Sequence, residues 1–147
     1  MEYVGPLTDI SQINAIKRVL RQQSQRDLLL FVLGINTGLK ISELLSLKVN
    51  DVWDKGEGEK GKEFLFIHGK KSGEERAFYL NNKVQVELKK YISLTSLQER
   101  DYLFRSQKND QSISRQHAYR IIKQAAKKAG IPGKIGTNTL SKTFGYH

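Results

Sequence analysis

The feature that most restricts the fold is a β-hairpin pattern placed between segments of helical periodicity. Residues 64–67 and 77–80 are short apolar and aromatic runs, and the stretch 69–74 between them contains two glycines, two lysines and a serine. Short apolar runs joined by a glycine-containing turn are typical of two antiparallel strands. The sequence therefore predicts one hairpin near the middle of the chain.

Helices are predicted on both sides of this hairpin, because apolar residues recur there at intervals of three and four. Gly38 is suited to a left-handed cap at the end of one helix, and Gly130 followed by Pro132 closes another. The first predicted helix carries apolar residues at helical spacing, Ile10, Ile13, Ile16 and Leu20, and Thr8 and Asp9 can cap it. Further helices are predicted over residues 26–36, 41–47, 82–93 and 114–129, and a last helical segment begins at Thr137. The charged, glycine-rich residues 54–62 are predicted to form an exposed loop. The predicted fold class is α+β, mainly helical, with one small antiparallel sheet.

The distribution of charge favours a polyanionic partner. A chain of 147 residues is long enough for one domain, and its 25 Lys and Arg against 15 Asp and Glu give a net charge of +10. Residues 1–80 carry 12 basic and 11 acidic side chains, whereas residues 81–147 carry 13 basic and 4 acidic ones. Nucleic acid is the commonest binding partner of a protein whose positive charge is so unevenly distributed. The alternative is a solvated surface that only keeps the protein soluble.

Residue types and spacing argue against several other kinds of site. The chain has no cysteine, which excludes disulfides, thiolate metal sites and thiol catalysis. His68, His117 and His147 lie far apart and lack the spacing of metal ligands, so no metal site is predicted. The longest apolar stretch, 28–33, is too short to span a membrane, and no targeting signal opens the chain. A cytoplasmic location is therefore predicted.

The segment 114–129 is a candidate binding surface. Arg120, Lys123 and Lys127 fall on one face of the predicted helix. The residues on another face are apolar: Ala118, Ile121, Ile122, Ala125 and Ala129. A helix that docks by its apolar face can lay its basic face along a phosphate backbone. The alternative is a basic face that contacts only solvent.

Several segments, in order, resemble the tyrosine recombinases of the phage integrase family. Residues 36–48, with the sequence NTGLKISELLSLK, are similar to the family's first box, and the lysine-tipped hairpin follows at the expected place. Residues 114–131 resemble the helix before the second box, and residues 137–147, TNTLSKTFGYH, resemble that box. The resemblance covers nearly the whole chain.

This resemblance implies DNA strand breakage and rejoining without a metal or nucleotide cofactor. In the family a tyrosine attacks the scissile phosphate and forms a 3′-phosphotyrosine bond. Two arginines hold the phosphate oxygens, a lysine protonates the leaving 5′ oxygen, and histidines assist proton transfer. The chemistry combines a covalent nucleophile with electrostatic stabilisation of the transition state.

The resemblance also assigns positions to the catalytic groups. The first-box carboxylate corresponds to Glu43, but the first-box arginine corresponds to Lys40, which lacks a planar bidentate fork. The hairpin lysine corresponds to Lys71, with Lys70 as the less favoured choice. In the second box, the family's histidine and arginine are replaced by residues that do not carry their charge, Asn138 and Ser141. The positions expected to contact DNA are Lys70, Lys71, Arg115, Arg120, Lys123, Lys127 and Lys142.

Residues 1–147 are therefore expected to form a single integrase-like catalytic domain fragment, without the C-terminal tyrosine segment and the N-terminal core-binding domain of the family. The predicted function is that of a DNA-binding domain of a site-specific recombinase. It is expected to be a monomer in isolation, to bind double-stranded DNA and to be inactive in strand cleavage. Two alternatives remain open: a nucleophilic tyrosine supplied in trans, and a non-catalytic nucleic-acid-binding regulatory module.

Overall fold

A computed structural model describes residues 10–68 and 73–131. This part of the chain contains six α-helices and four short β-strands. In order they are α1 (Ile10–Gln23), α2 (Gln25–Thr37), α3 (Ile41–Leu45), α4 (Val49–Val52), β1 (Trp53–Asp54), β2 (Lys60–Gly61), β3 (Phe64–His68), β4 (Glu75–Tyr79), α5 (Asn82–Leu94) and α6 (Arg115–Lys128). The predicted class, mainly helical with antiparallel strand pairs, is confirmed.

The helix α2 is the centre of the core, because its residues from Asp27 to Ile35 are buried without interruption. Ser24 caps its start by accepting a hydrogen bond from the Asp27 N–H. Gly38 ends it with a φ of 74° and donates its own N–H to Gly34, as the sequence predicted. A glycine is required there because other residues strongly disfavour this left-handed conformation. The helices α1, α3 and α5 pack against α2, and α6 packs against α1 and α3.

The prediction of a single sheet and of an exposed loop over 54–62 is wrong in part. Two separate two-stranded sheets are present within the described ranges, and one of them pairs β1 with β2 at the two ends of the predicted loop. Residues 54–62 are exposed as predicted, except for the half-buried Gly61. The Trp53 indole donates a hydrogen bond of 2.7 Å to Glu59 across this turn. Strands of two residues are too short to show an alternating pattern of apolar and polar residues. The charge and glycine content of residues 54–62 therefore predicted a loop.

The hairpin of β3 and β4 forms where it was predicted, with Leu65 paired to Phe78 and Ile67 paired to Arg76. Leu65 is buried against the helices, whereas the opposite face of the hairpin exposes three aromatic rings, Phe64, Phe66 and Tyr79. The turn residues 69–72 lie outside the described residues.

The helix predicted over 41–47 is shorter in the structure. It ends as α3 at Leu45, yet Leu47 is buried as expected. The following turn, α4, was not predicted, because a four-residue helix gives too short a pattern to recognise. The expected cap at Thr8 and Asp9 and the segment from Thr137 lie outside the described ranges. None of the described helices is long and apolar enough to cross a membrane.

Tyr91 on α5 provides a pH-dependent contribution to stability. Its hydroxyl donates a 2.7 Å hydrogen bond to the carbonyl of Leu103, and burial raises its pKa from 10.0 to about 12. Because the unfolded chain ionises this phenol first, the contribution is complete below about pH 10 and is lost as the pH rises towards 12.

The Tyr91→Phe variant is expected to be about 1 kcal/mol less stable than the wild type at about pH 9, because a buried carbonyl loses its donor. Between about pH 9 and pH 11.5 the wild type should lose about 2 kcal/mol relative to the variant, so that their order reverses. Urea unfolding at both pH values measures the difference. A difference that stays constant over this range would contradict the assigned pKa.

Candidate nucleic-acid interface

The helix α6 presents one face to the core and the opposite face to solvent. It begins at Ser114, whose hydroxyl accepts a 3.0 Å hydrogen bond from the His117 N–H. Its apolar face packs on α1 and α3, and the residues buried there are Ala118, Ile121, Ile122, Ala125 and Ala126. The predicted amphipathic pattern is confirmed, except that Ala126 is buried more deeply than Ala129.

The outer face of α6 is basic and contains no acidic residue. The four predicted DNA-contacting residues of this helix are all exposed: Arg115, Arg120, Lys123 and Lys127. The residues Arg115, Gln116, Tyr119, Arg120 and Lys123 line a groove of about 480 Å³ along this face. The Lys123 ammonium lies 5.9 Å from the centroid of the Tyr119 ring, within the range of a cation–π interaction.

His117, near the start of α6, does not add to this positive charge at neutral pH. Its partial burial lowers its pKa, and the positive charge of Arg26 lowers it further. The imidazole is therefore neutral at pH 7, which leaves the guanidinium and ammonium groups as the cations of the surface.

The first-box residues lie at the start of α3, which packs against α6. Lys40 precedes the first residue of α3 and is exposed, and its N–H donates a 3.0 Å hydrogen bond to Glu43 Oε1. The other carboxylate oxygen of Glu43 accepts a hydrogen bond from the Arg76 guanidinium on β4. Glu43 therefore caps α3 and joins this helix to the hairpin.

Arg76 is a partner of Glu43 that the sequence analysis missed. The second strand of the hairpin is predicted from the apolar run 77–80, which does not include Arg76. Arg76 lies on the same strand face as Phe78, and its guanidinium lies 5.5 Å from the Phe78 ring. Half of the Arg76 side chain is exposed and its partner lies 33 positions away in the sequence, so no local signal identifies Glu43 as that partner.

Five predicted site residues lie outside the described ranges: Lys70, Lys71, Asn138, Ser141 and Lys142. The helix α3, which begins after Lys40 and contains Glu43, is in contact with α6. No group of three or more His, Cys, Asp or Glu residues suited to a metal ion occurs among residues 10–68 and 73–131.

The profile of the phage integrase family matches residues 7–147 of the chain. This chain belongs to the phage integrase family. The family assignment made from the sequence boxes is therefore confirmed, and the helices and hairpin described above are those of an integrase-family domain.

Relatives of this integrase-family chain include proteins of different length. It is 36% identical over 147 residues to the probable integrase/recombinase YoeC of Bacillus subtilis, covering all of this chain and 76% of that protein. It is 31% identical over 138 residues to the tyrosine recombinase XerA of Pyrococcus furiosus, covering 92% of this chain and 45% of XerA. The chain thus spans less than half of this second relative.

Two solved structures share the fold at low sequence identity. The structure of XerA recombinase matches 97% of this chain with a TM-score of 0.76 at 22% identity, and the match covers 48% of that chain. A lambda integrase dimer bound to a COC′ core site matches 96% of this chain with a TM-score of 0.65 at 16% identity, and covers 50% of that chain. Both matches confirm the fold of the integrase family.

Proposed function

We propose that this chain is a DNA-binding domain of a site-specific recombinase, in which the surface for DNA is retained and strand cleavage is lost. The observation that carries the proposal is the outer face of α6, where basic residues line a groove and no acidic residue is present. The related lambda integrase is bound to a DNA core site in its structure, and that agrees with a DNA partner for the same fold.

The basic face of α6 acts mainly on phosphates. Arg115, Arg120 and Lys123 are spread along more than two turns of the helix, which is suited to successive phosphates of one strand. Contacts of this kind release counterions from DNA, so the affinity falls steeply as salt is added.

The isolated chain is expected to be a monomer that assembles into larger complexes on DNA. The lambda integrase dimer bound to its core site agrees with this expectation.

The loss of cleavage rests on three positions of the family's catalytic set. Lys40 keeps a positive charge but cannot hold two phosphate oxygens in a planar fork. Asn138 does not exchange a proton near neutral pH, and Ser141 supplies no charge to the phosphate. Removal of one donor to a transition state costs about 100-fold to 1000-fold in rate, so three altered positions leave little of the family reaction.

One experiment tests binding and cleavage together. The probe is a pool of labelled duplexes of about 30 base pairs with a randomised core and a nick that traps a cleaved strand. Fluorescence anisotropy measures affinity from about 50 to about 300 mM salt, and a denaturing gel of the same samples then shows any covalent adduct. We expect reversible binding and no covalent adduct. The logarithm of the association constant should fall linearly with the logarithm of the salt concentration.

The two parts of the proposal have separate outcomes. Absence of binding at the lowest salt concentration would overturn the DNA-binding function and leave the basic half of the chain as a solubilising surface. A covalent protein–DNA band would overturn the loss of cleavage and would favour a tyrosine recombinase that tolerates Lys40, Asn138 and Ser141. Preference for one sequence in the pool without an adduct would agree with the proposal.

A further inference from the structure

We propose that Arg76 is a positioning residue, which fixes the lysine-bearing hairpin to the first-box helix through Glu43. The inference rests on the proposed function, because it concerns how the hairpin is presented to DNA. The ion pair between Arg76 and Glu43 joins β4 to α3. The two residues are 33 positions apart in the sequence.

The Glu43 carboxylate is suited to this role because both of its oxygens are engaged. Oε1 accepts the Lys40 N–H at 3.0 Å, and Oε2 accepts the Arg76 guanidinium. Only 19% of the Glu43 side chain is exposed, whereas 50% of the Arg76 side chain is exposed. The carboxylate end of the pair is therefore shielded from water, and the guanidinium end is screened by it. The backbone at Lys40 and the side chain of Arg76 are thereby held on the same carboxylate.

The hairpin needs such an attachment near its turn. Its base is anchored by Leu65 and Leu80, both buried, whereas the turn-proximal pair His68 and Glu75 is exposed on both strands. Arg76 is adjacent to that exposed pair and reaches back to α3, with its guanidinium also over the Phe78 ring. Two-stranded sheets are marginal in water when they lack packing against another element. The ion pair therefore limits the movement of the turn-proximal half of the hairpin relative to α3.

This role can be separated from the simple effect of charge by the Glu43→Gln variant. Glutamine at this position keeps the hydrogen bond that caps α3, but it removes the negative charge that holds Arg76. If only net charge mattered, loss of an acidic group would strengthen binding to DNA. Positioning predicts the opposite sign, because a loosened hairpin presents its lysine less well.

The experiment measures duplex affinity at fixed salt in a double-mutant cycle. Lys71→Ala is made in the wild type and in the Glu43→Gln background, with Arg76→Gln as an independent way to break the pair and Arg76→Lys as the conservative variant. Lys71→Ala should weaken binding about fivefold in the wild type and less than about twofold when the pair is broken. Glu43→Gln alone should weaken binding, and Arg76→Lys, which keeps a cation opposite the intact Glu43 carboxylate, should retain part of the affinity that Arg76→Gln loses. Lys89→Ala, an exposed lysine on α5, serves as the control and should have the same effect in both backgrounds.

A second readout does not depend on DNA. Hydrogen exchange at the amides of β4 should become at least about tenfold faster in Glu43→Gln and Arg76→Gln, while the amides of α2 remain unchanged. Unchanged exchange in β4, or an undiminished Lys71→Ala effect together with stronger binding by Glu43→Gln, would overturn the positioning role. If the wild type binds no DNA, the proposed function fails, and hydrogen exchange alone then decides whether Arg76 positions the hairpin.

Discussion

The Lys123→Glu/Lys127→Glu variant is expected to bind duplex DNA on the order of 100-fold more weakly than the wild type near 100 mM salt. Each substitution removes a cation from the outer face of α6 and places an anion beside the phosphates, so attraction becomes repulsion at two sites. The slope of the salt dependence should fall by about two, because two counterions fewer are released. Anisotropy across a salt series measures both quantities.

A matched control distinguishes this surface from the general field of the protein. Lys83→Glu/Lys89→Glu changes the net charge by the same amount, on exposed positions of α5. We expect this control to lose less than about tenfold in affinity. Equal losses in the two variants would show that α6 is not a specific interface. Both α6 positions are exposed, so the stability of the fold should change by less than about 1 kcal/mol, including the interaction with the helix dipole.

The Phe31→Ala variant is expected to lose about 3–5 kcal/mol of unfolding free energy, the largest effect of any single change considered. Phe31 lies in the middle of α2 and is fully buried, at 0% exposure, among the helices that surround it. Truncation to alanine removes the buried ring and leaves a cavity that the surrounding helices fill only in part. Urea unfolding followed by circular dichroism measures the change.

Phe66→Ala provides the comparison, since it deletes the same ring from a position that is 51% exposed on the outer face of the hairpin. It should cost less than about 1 kcal/mol. A similar loss in both variants would mean that the aromatic face of the hairpin is packed in solution. A small loss in Phe31→Ala would contradict the central place of α2 in the core.

The sequence allowed the longer helices and their ends to be predicted because their signals are local. The first, second, fifth and sixth helices have apolar residues at helical spacing, and Gly38 stops α2 by its own backbone preference. The basic face of α6 was predicted for the same reason, since the periodicity of one helix determines which residues share a face. The family boxes were likewise visible as short runs of adjacent residues.

Features that depend on residues far apart in the chain could not be predicted from the sequence. Lys60 and Gly61 become a strand only because Trp53 and Asp54 lie beside them, and the two-residue pairing leaves no periodic trace. The partner of Glu43 is Arg76, which a local pattern does not identify, because the two residues are 33 positions apart in the sequence and meet only in the folded chain. The longer helices, the hairpin and the cations of α6 could be predicted from the sequence, since each depends on neighbours within a few positions. The contact of α3 with α6 depends on packing, because burial of their apolar faces brings together side chains that no sequence spacing relates.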